Sequence, residues 1–136
     1  MRILELLTER RRIGNVGERA AAKYLRRHGY KILRRNYVAC GAEIDIIADD
    51  GIHTAFVEVK TRTLGREDPR EPRPASAVTP EKQRKIISTA KFFRGEYFER
   101  RRMRFDIIEV FLDEKKKVVR INHLESAFNA DTAHRM

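Results

Sequence analysis

The sequence predicts an α/β domain with a mixed β-sheet flanked by helices, and three observations carry that reading. Stretches of helical and of period-two hydrophobic spacing follow one another in the order α-β-β-β-α-β-β. The punctuation between them is specific: Gly29, the run Asp49-Asp50-Gly51 and the pair Thr79-Pro80. The length, 136 residues of which 41% are hydrophobic, suits a single domain over residues 1–136 with a core that needs no disulfide or metal staple.

Each element has its own signal. Val16 to His28 reads as a helix, with Val16, Ala20, Ala21, Tyr24 and Leu25 at helical spacing and Gly29 as the stop. Tyr30 to Tyr37 reads as a strand in which Tyr30 and Ile32 alternate with basic positions. Glu43 to Ala48 and Thr54 to Thr61 read as two strands of a hairpin closed at Asp49-Asp50-Gly51. Residues 62–79 hold Pro69, Pro72 and Pro74 among charges and are expected to form a mobile loop. Thr79-Pro80 suits a helix entry, a capping hydroxyl before proline at the first helical position, and the helix carries Ile86, Ile87, Ala90, Phe93 and Tyr97 on one face. Phe105 to Leu112 and Val118 to Ile121 supply two more strands, with a loose tail expected at 125–136. No internal repeat or low-complexity segment interrupts this order.

Charge narrows the partner. Thirty Lys and Arg against 20 Asp and Glu leave a net charge of +10, with pI near 10.2. The basic residues come in clusters, among them Arg10-Arg11-Arg12, Arg26-Arg27, Arg34-Arg35, Arg100-Arg101-Arg102 and Lys115-Lys116-Lys117. Such a surface attracts polyanions, and the arginine fork matches phosphate oxygens. The longest uninterrupted apolar run is Tyr37 to Cys40, far short of the ~20 residues of a membrane helix. No stretch near Met1 resembles a signal peptide, and the single cysteine, Cys40, excludes an internal disulfide. The expectation is a cytoplasmic protein with a nucleic-acid partner and no membrane.

Side chains two apart on a strand share a face. Glu58 and Lys60 therefore point one way while Val57 and Val59 point the other, and Glu43 with Asp45 oppose Ile44 with Ile46. Hairpin closure brings Asp45 and Glu58 to one level on neighbouring strands. Two carboxylates beside one ammonium on a covered sheet are costly unless a cation neutralises them or solvent reaches them, and oxygen ligands favour a hard ion such as Mg²⁺. Glu18 joins them from the first helix, on the stripe of Ala21, Ala22 and Leu25. Lys82 approaches from the second, in line with Ile86 and Ala90. The histidines His28, His53, His123 and His134 have no metal-ligand spacing, Cys40 has no histidine placed to activate it, and Asp106 is expected to pair with a basic neighbour.

Asp45 followed by Glu58-Val59-Lys60, with Glu18 on the preceding helix, resembles the PD-(D/E)XK nuclease motif. More narrowly, the chain resembles the YraN-type family, a bacterial group similar to archaeal Holliday-junction resolvases. The matching stretches include Gly14-Asn15-Val16-Gly17-Glu18, Asn36, Glu43-Ile44-Asp45, Phe56-Val57-Glu58-Val59-Lys60, Ala77-Val78, Lys82 and Arg104-Phe105-Asp106. Ile44 stands where the wider superfamily often has proline, a position that is not a ligand. The resemblance implies a restriction-endonuclease-like core and a metal-dependent endodeoxyribonuclease. Asp45 and Glu58 would hold Mg²⁺ or Mn²⁺, with the carbonyl of Val59 as a further ligand. Lys60 would polarise the attacking water, Glu18 would hold a second metal or a metal water, and Lys82 would be an auxiliary cation. Arg34, Arg35, Arg62, Lys82 and Lys85 are the expected nucleic-acid contacts, DNA ahead of RNA, with branched DNA as substrate and a homodimer as the assembly. The competing readings are a non-catalytic nucleic-acid-binding module that retains a nuclease fold, and a basic assembly protein whose acids form ordinary salt bridges.

Overall fold

The computed structural model describes residues 2–65, 78–96 and 101–129. Its elements are α1 (Ile3–Arg27), β1 (Lys31–Ala39), β2 (Ala42–Asp49), β3 (His53–Thr63), α2 (Pro80–Glu96), β4 (Arg102–Leu112) and β5 (Val118–Phe128), in the expected order. The five strands form one sheet in the order β1-β2-β3-β4-β5. All neighbours are antiparallel except β3 and β4, which run parallel. That parallel join requires a crossover, and α2 lies on it.

Each helix covers one face. Ala21, Ala22 and Leu25 of α1 pack with Ile46, Ala48, Ala55, Val57, Ile108 and Val110. On the other face Ile86, Ile87, Ala90 and Phe93 of α2 pack with Ile44, Ile47, Phe56, Phe105, Ile107 and Phe128. The interior strand β4 is buried from Arg104 through Leu112 because both layers press on it. The hairpin turn forms as expected, with Gly51 at φ +96° and its N–H donating to Asp49 Oδ1. Thr79 caps α2, its Oγ1 accepting the Lys82 N–H at 3.2 Å, with Pro80 the first helical residue.

Four expectations need correction. The first helix begins at Ile3, not near Val16. Its early turns leave Ile3, Leu4 and Leu7 exposed, so helix-forming residues and a Glu9–Lys116 ion pair at 2.5 Å, not a covered apolar face, hold that end. Second, Arg62 and Thr63 continue β3 alongside Phe111 and Leu112, so the expected loop starts later; its part from 66 to 77 lies outside the described residues, as does Tyr97. Third, residues 125–128 belong to β5, with Phe128 opposite Phe105 and buried, while 130–136 lie outside the described residues. Fourth, Ile44 and Ile46 do not share a face: Ile44 enters the α2 core and Ile46 the α1 core. The reason lies between the Arg35–Ile46 and Tyr37–Ile44 pairs, where Asn36 adopts φ +52° and the two strands rotate together.

The α1–β3 contact is unusually close. A Cβ placed on Gly17 would lie 1.8 Å from Thr61 Oγ1, whereas one on Gly14, a turn earlier, would meet nothing within 4 Å. Gly17→Ala is expected to lower stability by about 1–3 kcal/mol through overpacking. Gly14→Ala should raise it by up to about 1 kcal/mol through helix propensity. Urea midpoints of the two variants check this, and equal effects would show that the contact sets nothing.

Candidate active site

The β2–β3 ladder runs from Asp49–Thr54 to Ile46–Val57 and stops. Beyond that level β2 pairs only with β1, and β3 only with β4. The strands part into a fork, and Asp45 and Glu58 are the first residues past its crotch, one on each prong. A backbone N–H that loses its ladder partner needs an acceptor. Asp45 supplies it: the Val59 N–H donates to Asp45 Oδ2 at 2.8 Å.

Around Glu58 the charges are lysines. Lys82 Nζ donates to Glu58 Oε1 at 2.7 Å, and Lys60 Nζ lies 3.7 Å from the same oxygen, with the Glu58 side chain only 11% exposed. The Thr79 cap orients the first turn of α2, and that turn delivers Lys82. Glu18 reaches the site from α1 beside the Gly17–Thr61 contact and faces Arg35 Nη2 at 3.8 Å. With its amide assigned from the hydrogen-bond network, Asn36 donates to Glu18 Oε2 at 3.2 Å and to Glu43 Oε1 at 3.0 Å. The left-handed backbone at Asn36 that rotates the strands thus also aims this bridge.

The acids feel their crowding. Burial, and then the neighbouring Glu58, push the Asp45 carboxyl up to about 7, against the opposing Val59 hydrogen bond. Burial also raises Glu18, partly countered by Arg35. Two clefts meet at the Asp45–Glu58 pair. One, about 520 Å³, opens between the β1–β2 turn and the start of α2 and is lined by Glu43, Glu81, Lys82 and Lys85. The other, about 490 Å³, opens between α1 and β3 and is lined by Arg10, Gly14, Glu18, Lys60 and Thr61. The pair is therefore reachable from both sides of the fork.

Glu18, Asp45, Glu58, Val59, Lys60 and Lys82 thus converge, while the expected phosphate contacts are more dispersed. Lys85 lines the first cleft, 3.6 Å from Glu81. Arg35 reaches the site through Glu18, and exposed Arg34 donates to the Leu33 carbonyl. Arg62 donates from Nε to Glu109 Oε2 at 3.1 Å, and Glu109 Oε1 also accepts from Asn122. Asp106 stands apart in a buried network with Arg104 Nη2 at 2.8 Å, His123 Nε2 at 2.7 Å and the Ser126 N–H at 3.1 Å. Burial raises its carboxyl, but these partners outweigh that and hold it low. Sequence reasoning placed none of Arg10, Asn36, Glu43 and Glu81 among the site residues, although Arg10 stood in one of the basic clusters. Arg10 carried a signal, since Arg10, Gly14 and Glu18 recur every four residues on one helix face.

The donor set fits a hard divalent ion: Asp45 is a crowded carboxylate, Glu58 adjoins it, and the Val59 backbone passes between. Among the described residues, no group of three or more His, Cys, Asp or Glu stands close enough to hold a metal on its own. Oxygens from outside the chain would have to complete the sphere. No described helix is long and apolar enough to cross a membrane.

Residues 17–110, more than half of the chain, match the model of "Uncharacterised protein family UPF0102". The chain is 42% identical over 118 residues to a UPF0102 protein of Caldanaerobacter subterraneus subsp. tengcongensis, covering 85% of this chain and 93% of the relative. It is 42% identical over 125 residues to one of Prosthecochloris aestuarii, with 88% and 94% covered. A third, of Chlorobaculum parvum, is 45% identical over 122 residues, with 85% and 91% covered.

The raised Asp45 carboxyl makes stability depend on pH. Its ordinary value is 3.8 and its folded value about 7, so the folded state binds the proton more tightly. In chelator, this group's contribution should be fully present below about pH 4 and lost as pH rises through about 7. Asp45→Asn should remove that slope and be the more stable protein at pH 8, by on the order of 1–3 kcal/mol. Denaturant midpoints between pH 4 and 8 measure it, and parallel curves for the two proteins would contradict the crowding.

Proposed function

This chain belongs to the UPF0102 family, and we propose that it is a metal-dependent endonuclease hydrolysing DNA phosphodiester bonds on a PD-(D/E)XK core. The observation that carries the reading is the meeting of Asp45 and Glu58 past the β2–β3 crotch, with Lys60 and Lys82 on Glu58 and a cleft on either side.

Asp45, Glu58 and the Val59 carbonyl are the oxygens that would hold the ion. A bound Mg²⁺ or Mn²⁺ supplies an activated water and charge to stabilise the phosphate in its transition state. The chain's own residues do the rest. The Val59 N–H fixes the Asp45 carboxylate. Lys60 orients the attacking water and meets the charge that builds on the scissile phosphate. Lys82 neutralises Glu58 in the free protein and would be the auxiliary cation for the phosphate once Glu58 held an ion. Glu18, held by Arg35 and Asn36, would hold a second ion or a water of the first. The net charge of +10 supports a polyanionic substrate, and the resolvase resemblance supports branched DNA cut by a homodimer in a cytoplasmic setting.

One observation favours a second reading. Glu58 is already ion-paired at 2.7 Å, and a lysine in that place suits a nucleic-acid-binding module that no longer cuts. A cleavage panel of single-stranded, duplex, nicked, flapped and four-way DNA with Mg²⁺ or Mn²⁺ separates the two. The nuclease should cut at least one substrate, and Asp45→Asn and Glu58→Gln should each lose orders of magnitude. Metal at about 100 times its dissociation constant should stabilise the wild type by about 2.7 kcal/mol. Both acid variants should lose that gain, and Lys60→Ala should keep it while cutting poorly. Neither stabilisation nor cutting on any substrate would leave the binding module standing.

A further inference from the structure

Seven of the residues from Arg10 to Arg27 are basic and only Glu18 is acidic. Helix geometry sorts them. At about 100° per residue, Arg12, Arg19, Lys23 and Arg26 fall within about 60° of one another, on the side of α1 opposite Ala21 and Leu25. Ala21 and Leu25 are fully buried against the sheet, and all four basic residues are exposed. Glu18 and Arg10 lie on the inner side and line the α1 cleft. Among the described residues no carboxylate pairs with any of the four outward cations.

An ordinary solvated face mixes signs, because like charges at i and i+4, as at Arg19 and Lys23, destabilise a helix. A row of one sign is offset when a polyanion lies along it. From Arg12 to Arg26 the row spans about 21 Å, against one phosphate charge per ~1.7 Å of duplex axis. A phosphate seated there is at least the ~10 Å diameter of α1 away from Asp45 and Glu58, so it belongs to a different segment from the one in the clefts. An anionic membrane is the lesser fit. A lipid-binding helix must present an apolar flank beside its cations; along the row from Arg12 to Arg26 the apolar face of α1 is spent on the sheet, and the exposed Ile3, Leu4 and Leu7 lie on the turns before it.

We propose that the outward face of α1 is a second nucleic-acid surface, binding the sugar–phosphate backbone of a duplex other than the one in the clefts, so that one molecule holds two duplexes. The proposal shares with the nuclease reading only the premise that the clefts take nucleic acid, and it requires neither metal nor cleavage.

The test uses the full chain in EDTA with two short duplexes of about 12 base pairs, one carrying a donor dye and one an acceptor. Such pieces are too stiff to bend from cleft to stripe. Wild type should bring donor and acceptor together, with loss of energy transfer at high salt. The variant R12A/R19A/R26A, its helix content checked by circular dichroism, should still bind one duplex but give no transfer. Its slope of log affinity against log salt should fall for the second duplex only. Lys82→Ala with Lys85→Ala should instead weaken the cleft-bound duplex. Transfer unchanged in the triple variant overturns the proposal, because bridging then comes from elsewhere, such as two copies holding one duplex each. Wild type binding a single duplex overturns it too. If that single duplex is lost with the stripe but not with Lys82 and Lys85, the cleft premise falls as well. Phosphatidylserine vesicles bound through the same three arginines, in the absence of bridging, would replace the duplex with a lipid surface.

Discussion

Past Ile46 and Val57 the hydrogen-bond ladder between β2 and β3 cannot continue, and the arrangement of the site follows from that interruption. A ladder that ran on would seal the gap with backbone pairs and leave no room for side chains between the strands. Because it stops, the Val59 N–H is free to hold the Asp45 carboxylate, and Glu58 stands opposite without a backbone partner on that side. The clefts are the space the parted strands leave, bounded by α1 on one face and α2 on the other. The helices are docked by ordinary apolar packing, so the geometry of the acids depends on a rigid core only a residue or two away.

Electrostatics then sets what this gap can tolerate. Each acid has a different counterweight: a backbone N–H for Asp45, two lysines for Glu58, an arginine and an amide for Glu18. These partners come from β3, α2 and β1, so no single element owns the site. Asp45 has the weakest counterweight and is the acid most perturbed by its surroundings. In a chain of net charge +10 the crowding of Glu18, Asp45 and Glu58 is thus a local concentration of acid against the overall sign.

Much of this was legible in the sequence, for identifiable reasons. The level of Asp45 with Glu58 follows from a hairpin whose turn is spelled out at Asp49-Asp50-Gly51 and whose strands alternate cleanly up to the crotch. Lys82 was legible because Thr79-Pro80 marks where α2 starts, and Glu18 because it interrupts an apolar stripe. The faces of Ile44 and Ile46 were not, since a period-two rule assumes a regular strand and a left-handed Asn36 on the neighbouring strand breaks it. Arg10 was read as part of a basic cluster but not as a lining residue of the site, because the early turns of α1 bury no apolar residues and periodicity reads only what is buried. The end of β5 was missed for a related reason: Leu124 and Phe128 pack on the sheet, but the exposed, polar positions around them resemble a tail.

The parallel β3–β4 pair bears on the order in which the chain assembles. Asp45 and Glu58 are 13 residues apart in a hairpin, a kind of structure that forms within microseconds once its turn is set. Phe56 and Phe105, paired across β3 and β4, are 49 positions apart, and closing that larger loop costs more chain entropy. Lys82 rides on the crossover. The acids and Lys60 thus meet through local contacts, whereas Lys82, the nearer partner of Glu58, is delivered by the long-range join of β3 and β4. The charge balance at Glu58 therefore joins the two scales of the fold, a hairpin neighbour in Lys60 and a crossover residue in Lys82, so a change that loosens the β3–β4 join reaches the site through the second of them.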